Sequence, residues 1–195
     1  RTDERRADAE SRRRCAVESM EPRRLLAIAP INLGVTYIEE DTGADIHGDT
    51  FEVKFEGGAP LTQMTRLVID TDQGESGYSV GDLLFDTEHN GYGADEAFPL
   101  TIVSKDGIGS VTWRVVDGGQ KLEFDFVGFE AGDKLVFSID VDEIQQFEPG
   151  QTVAKVNEGI DPIASGVEFQ GSLARAEFAA PNYFETASQS TFRNV

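Results

Sequence analysis

From residue 30 onward, apolar and polar side chains alternate in short runs. Phe51, Val53 and Phe55 alternate with Glu52, Lys54 and Glu56, the period-two pattern of a strand with one buried and one wet face. Residues 66–70 and 83–85 are shorter apolar runs, and residues 100–103 lead into an Asp106-Gly107 turn signal. Val111, Trp113 and Val115 alternate up to Asp117-Gly118-Gly119, and Leu122, Phe124 and Phe126 resume the alternation. That pair is the clearest hairpin in the chain, and its pattern assigns Trp113 to the core. Leu135, Phe137, Ile139 and Val141 follow Ala131-Gly132-Asp133. A last hairpin is expected between residues 167–169 and 173–178, around Gln170-Gly171-Ser172. With about eight to ten strands, frequent turns and no helical pattern in the body, the expected fold is all-β. Its form is an antiparallel β-sandwich or jelly roll, not a parallel α/β sheet. No repeat at solenoid or propeller spacing occurs.

Residues 1–29 are different material, a basic leader ahead of a body spanning 30–195. Residues 3–17 have helix-compatible composition but are polar on all sides. Such a segment has no face to bury, so it is helical only if packed and otherwise disordered. No run of 18 apolar residues exists, so no membrane-spanning helix is expected.

Charge sharpens the division. The chain carries a net −19, yet residues 1–24 hold eight Arg against six acids, a net of +2. Nine of the 17 Lys and Arg and 30 of the 36 acids therefore fall in 25–195, a net of −21. A body that acidic repels phosphate backbones, which argues against nucleic-acid binding. It also repels itself unless divalent cations neutralise part of it. Cys15 is the single cysteine, so no internal disulfide forms, and bound metal is the alternative staple. Calcium is the expected cofactor.

Calcium takes six to eight hard oxygen ligands. The first candidate is the stretch from Asp70 and Asp72 through Gly74, Gly77 and Gly81 to Asp82, continuing to Asp86. Its Asp-x-Asp start resembles an EF-hand loop, but Gly74 stands where a third ligand would fall, and no flanking helices are evident. The plain alternative is a solvated acidic turn. A second candidate is Asp140, Asp142 and Glu143, joined by Glu168. On a strand Asp140 and Asp142 share one face and Phe137, Ile139 and Val141 the other, so the two aspartates are expected to point outward to solvent. A third acidic cluster comprises Glu39, Glu40, Asp41, Asp45, His47 and Asp49. His47 and His89 are the only histidines, too few, with no partner cysteine, for a zinc site.

Catalytic signatures are missing. No Gly-x-Ser-x-Gly elbow occurs, and Gly91-Tyr92-Gly93 lacks the lysine and helix of a phosphate loop. Tyr78, Tyr92 and Tyr183 sit in loop-like contexts and are the candidates for a sugar-binding platform.

The stretch Met20-Glu21-Pro22-Arg23-Arg24-Leu25-Leu26 resembles the Leu-Glu-Pro-Arg-x-Leu-Leu signature near the N-termini of very large exported proteins of planctomycete bacteria. Met20 replaces the first Leu, and Arg12-Arg13-Arg14 fits the basic lead-in. The body resembles the N-terminal domain that precedes B-type immunoglobulin-like repeats in such surface proteins. That likeness is carried by Gly34-Val35-Thr36-Tyr37, the aspartate-rich loop after Ile69 and the strand from Phe137 to Asp142. Together the resemblances imply a secreted or cell-surface protein with an adhesive or scaffolding role and no catalytic residues to transfer. The expected function is a non-catalytic, calcium-stabilised module, self-assembling or scaffolding. The alternatives are a carbohydrate-binding module on cell-surface glycan and a cohesin-like or pilus-like module that joins neighbouring copies.

Overall fold

The structure, a computed structural model, describes residues 29–39, 46–74, 77–183 and 186–193. The leader through residue 28, and Glu40, Asp41 and Asp45 of the third acidic cluster, lie outside the described residues.

Among the described residues, eleven strands and one short helix follow in order. They are β1 (Ile31–Ile38), β2 (Asp49–Gly57), β3 (Gln63–Asp70), β4 (Leu83–Asp86), β5 (Thr101–Asp106), β6 (Ser110–Val115), β7 (Lys121–Glu130), β8 (Lys134–Ile144), α1 (Val153–Asn157), β9 (Ile160–Asp161), β10 (Leu173–Ala179) and β11 (Ala187–Thr191). Two antiparallel sheets pack as a β-sandwich. One runs β1-β2-β8-β4, with β5 and β9 also on β8; the other runs β11-β10-β3-β7-β6.

The longest strand, β8, is the spine of the first sheet. Its first half pairs with β2 and β5, its second half with β4 and β9. The alternation predicted for β2 and β7 sends Phe51, Val53, Phe55, Leu122 and Phe124 to the interior, where all are fully buried. Phe137 of β8 stacks on Phe51 at 4.9 Å and meets Phe124 of the facing sheet at 4.8 Å. This aromatic bridge joins the two layers, and such ring pairs add stabilisation beyond their buried area.

Three expectations change. Trp113 is 41% exposed, although Val111 and Val115 on its face pack against the core. It sits on the edge strand β6, where the facing sheet does not fully cover it. Residues 167–169 form a turn, with the Glu168 and Phe169 amides donating to the Ser165 carbonyl. The expected hairpin partner of β10 is replaced by β3 on one side and β11 on the other. Finally the body does contain a helix, the five-residue α1, which buries Val156.

Candidate cation site: carboxylates beneath the β4–β5 connection

Strand β4 is three apolar residues followed by Asp86. Its register on β8 sets Asp86 opposite Asp140 and Leu84 opposite Asp142. Residues that pair or lie two apart share a face, so Asp86, Asp140 and Asp142 stand together, with Phe85, Ile139 and Val141 on the core side. The expected face is therefore right, but the expected exposure is wrong. Asp86 is 5%, Asp140 2% and Asp142 0% exposed, because the connection from β4 to β5 covers them.

That connection is held down largely through its own backbone amides. Ala94 N–H donates to Asp142 Oδ2 at 2.8 Å and Phe98 N–H to Asp140 Oδ2 at 3.2 Å. The Phe98 carbonyl in turn accepts the Asp140 amide at 3.0 Å, returning the chain to β8 just ahead of β5. Asp117, in the β6–β7 turn, accepts from Thr87 N–H and Glu88 N–H on Oδ1, each at 2.9 Å, and from Tyr92 N–H on Oδ2 at 2.7 Å. Asn157, at the end of α1, accepts from Gly93 N–H and donates to the Gly91 carbonyl. Gly93 has φ +133°, and a Cβ there would fall 1.8 Å from Asp86 Oδ2, so only glycine lets the backbone lie against that carboxylate. Charge-assisted bonds from amide to carboxylate are the stronger kind. Asp117 and Asn157 carry no motif in the sequence; Asp117 reads there only as the first residue of an Asp-Gly-Gly turn.

The remaining predicted ligands do not join this cluster. Asp82 is buried and caps its own loop, accepting from Gln73 N–H, Ser79 N–H and Ser79 Oγ. Asp70 pairs with Lys121 at 3.2 Å and also accepts from Asp72 N–H, while Asp72 accepts from Gly74 N–H. In that loop the acids set turn geometry. Glu143, an odd-numbered neighbour of Asp142, points to the opposite face, where it lies in the field of Glu168 and Asp161. Glu168 itself accepts from Ser165 N–H. Among the described residues, no group of three or more His, Cys, Asp and Glu side chains is already arranged to hold a metal ion.

Burial first, then the charges of Glu168 and Asp161, raises the Glu143 carboxyl above its ordinary pKa. A carboxyl raised in the folded state binds its proton more tightly there than in the unfolded chain, so stability falls as pH rises through that window. Glu143→Gln is accordingly expected to raise the melting temperature at neutral pH. The gain should vanish in acid below the ordinary carboxylate range, which paired melts at the two pH values would check.

The three tyrosines are used structurally. Tyr78 donates to the Gly118 carbonyl at 2.5 Å, and burial, with Tyr92 and Asp117 nearby, pushes its phenol up to about 12. The Tyr78 and Tyr92 rings meet edge to face at 66°, with Phe147 on the other side of Tyr78, so they present no flat pair of rings to a sugar. Gly118, at φ +67°, leaves room for both. Tyr183 accepts from Ala59 N–H and donates to the Ala29 carbonyl, tying the start of β1 to the β10–β11 connection. In comparison with known proteins, the chain matches no family model, no curated protein and no solved structure.

Proposed function

We propose that the chain is a non-catalytic, calcium-stabilised module of an exported surface or matrix protein, with the cation held at Asp86, Asp140 and Asp142. One observation carries the reading: three aspartates share one buried face of the β4–β8 ladder, Asp86 opposite Asp140 and Asp142 two residues further along β8. Like charges on one poorly solvated face repel one another, and a divalent cation with a preference for hard oxygen is the natural neutraliser. The carboxylates would supply part of the shell. Backbone carbonyls of the covering connection, the Asn157 amide oxygen and water would complete it after a small local adjustment. Catalysis is not proposed, because the carboxylates here accept bonds from the loop backbone and so serve to organise it. Export is supported by the resemblance of the leader, and a scaffolding role by that of the body.

The test is a thermal melt in calcium against chelator, with magnesium as control. Binding to the folded state alone stabilises by RT ln(1 + [L]/Kd), about 1.4 kcal/mol at ten times Kd. For a chain of this size that is about 3–6 °C. A calcium-specific rise of that order is expected; identical melts in calcium and chelator would remove the proposal.

A further inference from the structure

The opposite flank of the sandwich carries a second feature. Between the outer edges of β1 and β11 lies an open groove of about 600 Å³. Its floor is apolar, built by Ile31, Leu33 and Val35 from one sheet and Ala174 and Phe178 from the other. Each wall is a sheet edge: in the described residues β1 pairs only with β2, and β11 only with β10. Exposed edges invite another strand, and proteins commonly guard them with charges or proline. Here neither β1 nor β11 bears a charged residue or a proline, in a chain that is 27% charged. The edges on the far flank do carry charge, Lys105 and Asp106 on β5 and Arg114 on β6.

We propose that this groove receives residues 25–28, Leu-Leu-Ala-Ile, from the leader of a second copy of the chain, added as a strand between β1 and β11. The length fits, since four extended residues span about 14 Å, within the reach of the five-residue β11. The chemistry fits as well: Leu26 and Ile28, two apart, face the apolar floor together, while the backbone pairs with the open edges. Charge decides which surfaces meet. Two bodies of net −21 repel, whereas a leader of net +2 with Arg23 and Arg24 beside the apolar run is attracted to a body.

A second copy is favoured over the same chain by the connection. Only Pro30 separates Ala29 from β1, and the Ala29 and Pro30 carbonyls are already held by Tyr183 Oη–H and Gly58 N–H. Folding back would need a tight hairpin turn at Ala29-Pro30 with positive φ at Ala29, and a residue before proline is confined to extended conformations. Leader into groove is a head-to-tail contact between two different surfaces of the chain, so it builds rings or linear assemblies. This inference goes beyond the calcium reading and does not depend on it, because the groove and the aspartate cluster lie on different strands.

The experiment is sedimentation velocity of the full chain over a concentration series, beside the double variant Leu26→Asp/Ile28→Asp, in calcium and again in chelator. Both substitutions lie outside the described residues. Wild type is expected to self-associate, and the variant to do so at least about tenfold more weakly, since each buried aliphatic side chain is worth more than that factor. A synthetic peptide of residues 22–29 added to the variant should slow amide exchange in β1 and β11. Equal association of wild type and variant, or a wild type that stays monomeric, overturns the proposal, as does a peptide that leaves both edges unprotected. Failure of the calcium melt alone leaves these readouts intact.

Discussion

Asp117→Ala is expected to cost about 2–4 kcal/mol, on the scale of losing several hydrogen bonds to one charged acceptor. The Asp117 carboxylate takes three backbone amides and the Thr87 hydroxyl from the first half of the β4–β5 connection. With it removed, those amides have to find water or stay unsatisfied, and the six-residue stretch from Thr87 to Tyr92 loses its main anchor. Melting should fall by about 4–16 °C for a chain of this size. Amide exchange should accelerate at Thr87, Glu88 and Tyr92 well before it does in β8. Asp117→Asn is expected to fall between the two, because its oxygen can still accept from Thr87 and Glu88 while its NH2 confronts the Tyr92 amide. If the alanine variant melts like wild type and exchange at these residues is unchanged, the connection is held by something other than this carboxylate.

That dependence on a residue with no motif shows where sequence reading succeeds and where it stops. Strands β2, β6, β7 and β8 were legible because large apolar side chains recur at period two, and the same period placed Asp140 and Asp142 on the face opposite Phe137 and Ile139. Periodicity fixes a face; it does not say what lies against it. The pattern leaves the aspartates on a solvent face because their cover is an irregular connection that has no period of its own. Trp113 failed in the converse way: its face was the inner one, but an edge strand is only partly overlapped by the facing sheet. The Asp70–Asp82 loop looked like a ligand set because Asp and Gly serve metal loops and tight turns alike. In the structure the Asp82 carboxylate accepts from three donors of Gln73 and Ser79 within its own loop. Asp86 could be joined to Asp140 only through a β4–β8 register, which is a long-range pairing that local pattern does not encode.

Asp142→Asn is expected to move stability in opposite directions with and without calcium, and this is the sharpest test of the aspartate cluster. Asp142 lies diagonal to Asp86 and two residues from Asp140 on one buried face, and two unit charges about 7 Å apart, at an effective dielectric near 20, repel by about 2 kcal/mol. The asparagine removes one charge and keeps an oxygen that can accept the Ala94 amide, now met by Asp142 Oδ2 at 2.8 Å. In chelator the variant should therefore melt higher than wild type, by about 2–8 °C for 1–2 kcal/mol of repulsion relieved. In calcium the order should reverse or close, because a site with one carboxylate fewer binds the cation more weakly and loses most of the ligand-linked increment. Asp142→Ala separates charge from hydrogen bond: it also relieves repulsion but leaves the Ala94 amide without its acceptor, so its melt in chelator should lie below that of the asparagine variant. A calcium increment that survives Asp142→Asn undiminished would place the cation elsewhere, whereas a variant less stable than wild type in chelator would mean that the cluster is not under electrostatic strain.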